Sequence, residues 1–213
     1  LGKKLLFFDG GMGTLLQAKG LKPGELPETW NVTHGEEIIG IHQAYIEAGS
    51  DLVLTNTFGA NALKFRDGGY PLQEIIEQAV SHVKEAARRA GRGVYTALDV
   101  GPTGKLLKPM GDLEFEAAYE AFKQAMVYGE QAGADLIHIE TMSDTYEIKA
   151  AVLAAKENTK LPVFVTAIFD ERKKLLTGAD VPAVVSLLEG LRVDAVGVNC
   201  GLGPVQVMPV LEE

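Results

Sequence analysis

The chain contains a single cysteine, Cys200, within the stretch GVNCGLGP. It follows a short apolar run and precedes a turn rich in glycine and proline, so we expect it where a strand ends and a loop begins. A lone cysteine is most often a small buried apolar residue. A thiol at a strand end can also act as a nucleophile or metal ligand once it loses its proton. The local sequence leaves both roles open.

Acidic, amide and glycine residues lie at the ends of other apolar runs, as Cys200 does at the end of its own. Asp9 ends the first run, Asn56 lies at the end of the second, and Glu140 closes the run DLIHI. We expect Glu140 to be largely buried, and a buried carboxylate needs a positive or hydrogen-bonding partner. Gly10 and Gly11 would let backbone N–H groups approach an anion such as a substrate carboxylate. Taken singly, Asp9 or Asn56 could equally be a turn residue.

Two further polar residues lie within or at the end of predicted strands. Strand alternation puts His138 on the same face as Glu140, and we interpret it as a hydrogen-bonded core histidine in preference to a ligand. Taken singly, Asp99 could be a solvated or paired carboxylate. The sequence contains no His-Glu-x-x-His, Cys-x-x-Cys or Gly-x-Ser-x-Gly motif. Zinc hydrolases, zinc ribbons and α/β-hydrolases are therefore not supported.

Apolar runs and helical patterns alternate along the chain. The runs lack clean polar alternation, which is typical of strands buried on both faces; they cover residues 5–11, 51–59, 94–102, 135–143, 162–170 and 194–201. Amphipathic helices are predicted over residues 36–49, 72–91, 113–133, 144–159 and 180–191, with another beginning near Pro204. The expected helix caps are Asp144, Asp180, Gly49, Gly91 and Gly133. Repeated βα units of this length indicate a parallel sheet.

The fold class follows from where the polar residues cluster. They lie at the carboxyl ends of the strands, where open doubly wound sheets and (β/α)8 barrels both place their sites. No Gly-x-Gly-x-x-Gly fingerprint follows the first run, and a long loop containing proline comes next. We therefore predict an α/β protein with a parallel (β/α)8 TIM-type barrel. Six strands are fewer than eight, so we expect residues 1–213 to form one barrel domain that ends about two βα units early; a smaller complete fold is the alternative.

Composition argues against several classes of partner. The formal net charge is −9 and no run of Lys or Arg interrupts it, so neither nucleic acid nor an anionic membrane surface is expected. No segment approaches the roughly 20 apolar residues of a membrane span, and the apolar run 5–8 is too short for a signal peptide. One cysteine excludes an internal disulfide framework. We expect a soluble, cytoplasmic protein.

Taken together, the run ends resemble those of a known family. LLFFDGGMGTLLQ, AYIEAGSDLVLTNTFGAN, LDVGPTG, ADLIHIETMSDTYEIKAAVLAAKE, LLTGAD and VGVNCGLGP follow the order and approximate spacing of the homocysteine methyltransferase domain. The resemblance covers nearly the whole chain and looks closest to the N-terminal module of cobalamin-dependent methionine synthases. It implies a (β/α)8 barrel in which a methyl group is transferred to the zinc-activated thiolate of homocysteine, giving methionine.

The resemblance also implies a role for each candidate residue. Family members bind zinc through three cysteine thiolates, and Cys200 matches the first, as metal ligand and catalytic residue. The adjacent pair that completes the set is absent here, so we expect these 213 residues to be inactive alone and to bind zinc weakly or not at all. Asp9 and Glu140 are implied to bind the homocysteine ammonium, and the backbone of Gly10 and Gly11 its carboxylate. Asn56 completes the implied substrate-binding set.

The resemblance further implies methylcobalamin as the methyl donor, carried on another domain, with folate- and cobalamin-binding domains as partners. Betaine or S-methylmethionine is the alternative donor, because donor choice does not follow from these residues. A non-catalytic α/β binding module that lacks the metal is a second alternative. A Schiff-base aldolase or lyase is poorly supported, since no Lys ends a predicted strand.

Overall fold

Five parallel strands alternate with helices in the computed structural model, which describes residues 3–65 and 69–213. The strands are β1 (Leu52–Leu54), β2 (Tyr95–Val100), β3 (Leu136–Met142), β4 (Val163–Ala167) and β5 (Ala195–Val198). Each pairs with the next in sequence, so the sheet order is β1-β2-β3-β4-β5. A doubly wound sheet reverses its order at a switch point. The unbroken order therefore agrees with the predicted barrel-type α/β arrangement.

The described residues form eight helices: two short ones before residue 34 that the sequence pattern did not predict, and six predicted ones, whose predicted bounds agree to within two residues. They are α1 (Gly13–Ala18), α2 (Trp30–Thr33), α3 (Gly35–Ala48), α4 (Leu72–Ala90), α5 (Phe115–Ala132), α6 (Thr145–Asn158), α7 (Val181–Gly190) and α8 (Pro204–Glu212). A short 3-10 turn, Pro27–Thr29, precedes α2. Of the helices in these two described ranges, none is both long enough and apolar enough to cross a bilayer.

The predicted caps are confirmed. The Asp144 side chain accepts a hydrogen bond from the backbone N–H of Tyr146, and Asp180 accepts one from Ala183, each at 3.1 Å. The predicted C-caps with positive φ are Gly49, Gly91 and Gly133. Side-chain caps and left-handed glycines satisfy backbone groups that a helix end leaves unpaired.

The first predicted strand, residues 5–11, is wrong as a strand. Phe8 forms only an isolated parallel bridge to Leu52, with Leu52 N–H donating to Phe7 O at 3.0 Å. Leu5 is 74% exposed, because within the described chain this segment pairs with β1 on one side and with no strand on the other. The glycine pair that follows Asp9 also weakens extended pairing. Accordingly, the described sheet is open between this segment and β5.

Strand alternation divides the side chains between two faces. Ile137 and Ile139 of β3 are fully buried against the helices. On the opposite face, each of four neighbouring strands gives one residue to a small apolar cluster: Leu52, Ala97, Leu136 and Phe164. Such inward layers fill the interior of a β/α barrel. On β2, β3 and β4 the next inward residues toward the carboxyl ends are polar (Asp99, His138 and Thr166), so this apolar layer forms a floor beneath them.

Helix α5 approaches β2 closely at Gly129. A Cβ atom there would lie 2.4 Å from Leu98 Cδ2, and Leu98 is buried. We expect Gly129→Ala to destabilise the fold by roughly 1–3 kcal/mol through overpacking. The control is Gly40→Ala, on the exposed side of α3 with nothing within 4 Å of the new Cβ; it should stabilise by roughly 0.5–1 kcal/mol. Urea unfolding midpoints measure both, and equal midpoints for the two variants would contradict the close α5–β2 approach.

Candidate active site at the carboxyl ends of the strands

A cavity of about 600 Å³ opens at the carboxyl ends of the strands. All the residues predicted for the site line it: Asp9, Gly10, Gly11, Asn56, Glu140 and Cys200. The parallel sheet accounts for this gathering, because it brings all its strand ends to one edge. In the register of the sheet, Asp99 of β2 lies beside His138 of β3, one inward position above the apolar floor.

Asp9 is held at the cavity wall by β1. Its backbone N–H donates to Leu52 O and its Oδ2 accepts from the Leu54 N–H, both at 3.1 Å. Oδ1 is buried and has no hydrogen-bond partner. Burial raises the pKa of Asp9 to about 7, and the nearby charge of Glu140 adds to the increase. The backbone hydrogen bond to Oδ2 lowers the pKa of Asp9 but only partly offsets the effect of burial.

Gly10 lies against Tyr45 of α3, which explains the glycine at this position. A Cβ atom on Gly10 would lie 2.8 Å from the Tyr45 hydroxyl oxygen. That hydroxyl donates to Gly11 O at 3.1 Å. Tyr45 thus fixes the path of the glycine turn beside Asp9.

The cavity holds four carboxyl groups, from Asp9, Glu28, Asp99 and Glu140, and no Lys or Arg side chain among the described residues that line it. Burial raises the pKa of Glu28, Asp99 and Glu140 as well. For Asp99 the charges of Glu140 and Asp9 raise it further. A cation that entered this cavity would relieve both burial and mutual repulsion.

Two of these carboxyl groups lie outside the predicted site. Asp99 is only 7% exposed and its Oδ1 has no partner, so the interpretation of Asp99 as solvated or paired is wrong. Asp99 ends the run VYTALD, and a polar residue at the end of an apolar run is the same signal that identified the other site residues. Glu28 is buried and accepts a hydrogen bond from the Gly59 N–H. It lies in the 3-10 turn before α2, where no strand pattern marks it.

Asn56 ties the segment before α2 to the cavity wall. Its Nδ2 donates to Pro27 O at 2.9 Å and to Asn31 Oδ1 at 3.0 Å. Both amide hydrogens are therefore used within the protein, and Oδ1 is the side-chain atom left for a substrate. Pro27 also lines the cavity, whereas Trp30 packs into a separate apolar cluster with Leu16.

His138 is a buried histidine that also lines the cavity. Its Nε2 lies 3.4 Å from Thr166 Oγ1, and its ring centroid is 4.9 Å from that of Phe8. The interpretation as a hydrogen-bonded core histidine is confirmed. Burial lowers the pKa of His138 to about 4, so the ring is neutral near pH 7. Nδ1 lies 3.9 Å from Glu140 Oε2, which is too long for a hydrogen bond.

Cys200 is exposed at the rim of the cavity, so within the described residues it is not packed as a small buried apolar residue. Its Sγ lies 3.5 Å from Asn199 Nδ2 and 3.8 Å from Thr141 Oγ1. Across residues 3–65 and 69–213, no three His, Cys, Asp or Glu side chains are close enough together to hold a metal ion. A zinc site normally takes three or four protein ligands. These residues by themselves therefore do not fit a zinc ion.

Sequence reasoning missed Asn199 and Thr141, which connect the ends of β5 and β3. Both line the cavity, and Asn199 Nδ2 reaches Thr141 Oγ1 at 2.9 Å and Glu140 Oε2 at 3.3 Å. A polar residue directly before the rim cysteine was the available signal for Asn199. Thr141 has a φ of +59°, and nothing in its sequence surroundings indicates that conformation.

The sequence is similar to two curated methionine synthases. It is 31% identical over 225 residues to that of Mycobacterium tuberculosis (strain ATCC 25618 / H37Rv), covering 97% of this chain and 19% of that protein. The Mycobacterium leprae (strain TN) protein is 30% identical over 225 residues, with 97% and 18% covered. The chain therefore spans about a fifth of the length of these relatives.

Solved structures and a family model agree with this similarity. The homocysteine methyltransferase MmuM from Escherichia coli in its apo form superposes with a TM-score of 0.75 at 25% identity, covering 94% of this chain and 74% of that one. Its metallated form gives a TM-score of 0.79 at 24% identity, with 93% and 75% covered. The family model described as homocysteine S-methyltransferase matches residues 6–213. The chain therefore belongs to the homocysteine S-methyltransferase family.

Proposed function

We propose that this chain is the homocysteine-binding module of an enzyme that methylates homocysteine to methionine. One observation carries the proposal: a cavity with four carboxyl groups, no Lys or Arg among its described lining residues, and a thiol at its rim. Homocysteine offers an ammonium group for the carboxylates and a sulfur atom for the rim. In the reaction an S–CH3 bond forms, the bond between methyl and donor breaks, and the thiol proton leaves.

Asp9 and Glu140 are the groups proposed to bind the ammonium. They approach the cavity from different elements, and the charge of Glu140 raises the pKa of Asp9. An ammonium between them replaces this repulsion with two charge-assisted hydrogen bonds. The turn at Gly10 and Gly11 beside Asp9 lines the same cavity, and its backbone is the proposed partner of the substrate carboxylate.

Cys200 is proposed as one ligand of a zinc ion whose other protein ligands lie outside residues 1–213. The exposed thiol at the rim supports this proposal, and a metallated form of the E. coli relative is known. Zinc coordination would supply a deprotonated sulfur at neutral pH. The remaining βα units of the barrel are likewise proposed to lie outside this sequence, because the matched region spans only 74% of the E. coli chain.

The proposed methyl donor is methylcobalamin, carried on another domain together with a folate-binding domain. The similar methionine synthases support it, since this chain covers only 19% of the M. tuberculosis protein and leaves room for further domains. A single cysteine supports a reducing compartment such as the cytoplasm.

Asp9→Asn tests whether the Asp9 carboxylate, proposed to bind the homocysteine ammonium, lowers the free energy of unfolding when it is ionised. The folded pKa of about 7 lies above the unfolded value of about 3.9. Between these values the folded state holds the extra proton, so the stability due to Asp9 is complete below about pH 4 and lost as pH rises through about 7. Asn lacks this titration. We expect the variant to be more stable than wild type by roughly 2–4 kcal/mol at pH 8, with no gain at pH 4.

Denaturant unfolding at the two pH values measures the effect, and calorimetry at pH 8 should show weaker homocysteine binding by the same variant. The control is Asp51→Asn. The Phe7 N–H, followed by Lys4 and Arg92, lowers the pKa of Asp51, so this variant should lose stability at pH 8. A loss of stability in Asp9→Asn at pH 8 would contradict the account.

Cys200→Ala tests the metal proposal in the full-length protein. We expect zinc content to fall sharply and methyl transfer to be lost, because one thiolate ligand is removed, while the unfolding midpoint changes little at this exposed position. Metal analysis by mass spectrometry measures the zinc. Met208→Ala removes another exposed sulfur side chain, from α8 and outside the cavity, and should keep full zinc. Full occupancy in Cys200→Ala would exclude Cys200 as a ligand.

A further inference from the structure

We propose that Asn199 is a positioning residue that holds the Glu140 carboxylate in a fixed orientation at the rim of the cavity, beside the Cys200 thiol. The inference rests on the proposed function, in which these two groups receive opposite ends of homocysteine. It adds a side chain that joins the two ends of the site.

The orientation of the Asn199 amide follows from its partners. Thr141 N–H donates to Asn199 Oδ1 at 3.2 Å, and a backbone N–H can only donate, so the oxygen must face it. Nδ2 is then directed at Glu140 Oε2, at 3.3 Å, and at Thr141 Oγ1, at 2.9 Å, with Cys200 Sγ at 3.5 Å. All three atoms are acceptors for an N–H group.

The orientation of the Glu140 carboxylate depends on its hydrogen bond from Asn199 Nδ2. Within the described residues, Asn199 Nδ2 gives the only hydrogen bond to its carboxylate, because His138 Nδ1 is too distant at 3.9 Å. The bond engages Oε2 and leaves Oε1 for an ammonium. Asn199 is itself anchored through its backbone N–H, which donates to Ala167 O of β4 at 3.3 Å.

The backbone on both sides of this contact is strained. Thr141 and Cys200 have φ values of +59° and +58°, a region that non-glycine residues rarely adopt and that is most unfavourable for a β-branched residue such as Thr. Strain of this kind persists only where the surroundings enforce it, and it concentrates at functional sites. Asn199 contacts Thr141 through both polar atoms of its amide. The strained backbone at Thr141 and Cys200 therefore lies at the positions where Glu140 and Cys200 line the same cavity.

A double-mutant cycle in the full-length protein tests the proposal, with the dissociation constant for homocysteine measured by calorimetry. Glu140→Gln and Asn199→Ala should each raise it roughly tenfold. Because Asn199 acts through Glu140, the double variant should be no weaker than Glu140→Gln alone. Asn158→Ala is the matched control: it removes hydrogen bonds from Asn158 to Tyr119 and Ala154 at the end of α6 and should leave homocysteine binding unchanged.

Thr141→Gly keeps the test available if Asn199→Ala fails to fold. Glycine adopts positive φ without strain, and the variant removes the Oγ1 contact with Asn199. It should also weaken homocysteine binding, and again no further in the Glu140→Gln background. Effects that multiply in the double variants, or unchanged binding in the single ones, would overturn the positioning role. A wild-type protein that binds no homocysteine would overturn the proposed function instead.

Discussion

Carboxyl groups are buried at the mouth of this sheet without a basic partner among the described lining residues, and the site depends on that constraint. Ionising Asp9, Asp99 or Glu140 is unfavourable in the folded protein, because burial raises each pKa and the charge of Glu140 raises the pKa of Asp9 and Asp99 further. A protein selected for stability alone would replace such groups or pair them. Their retention around one cavity is understandable if a cation from outside completes the site. The ammonium of an amino acid is the cation that the family assignment favours.

The parallel sheet makes this arrangement possible. Apolar inward residues such as Leu136 and Phe164 form a floor, and His138 and Thr166, two residues further along the same strands, lie above it at the cavity. The ends of β3 and β5 are then joined by Asn199, whose amide contacts Glu140, Thr141 and Cys200. The favourable folding free energy of the sheet and helices offsets the unfavourable contributions of the buried carboxyl groups and of the strained backbone at Thr141 and Cys200.

Much of this architecture could be predicted from the sequence, because strands buried on both faces and amphipathic helices leave strong patterns. Helix ends were also marked, by Asp144 and Asp180 at their starts and by glycines after their last turns. The first strand was overpredicted: an apolar run shows that a segment can be buried, but not that it has a partner on both sides. Asp9, Asn56, Glu140 and Cys200 could be listed from strand ends, whereas Glu28 could not, since it reaches the cavity from the 3-10 turn before α2. The link through Asn199 depends on backbone conformations at Thr141 and Cys200 that no local pattern indicates.

The central claim is that the buried carboxylates exist to bind an ammonium group. Calorimetry on the full-length wild-type protein at pH 8 can compare homocysteine with 4-mercaptobutanoate, which has the same thiol and carboxylate but no amino group. If Asp9 and Glu140 hold the ammonium, homocysteine should bind at least about tenfold more tightly, as expected for loss of a charge-assisted hydrogen bond. Equal affinity for the two compounds would contradict the account.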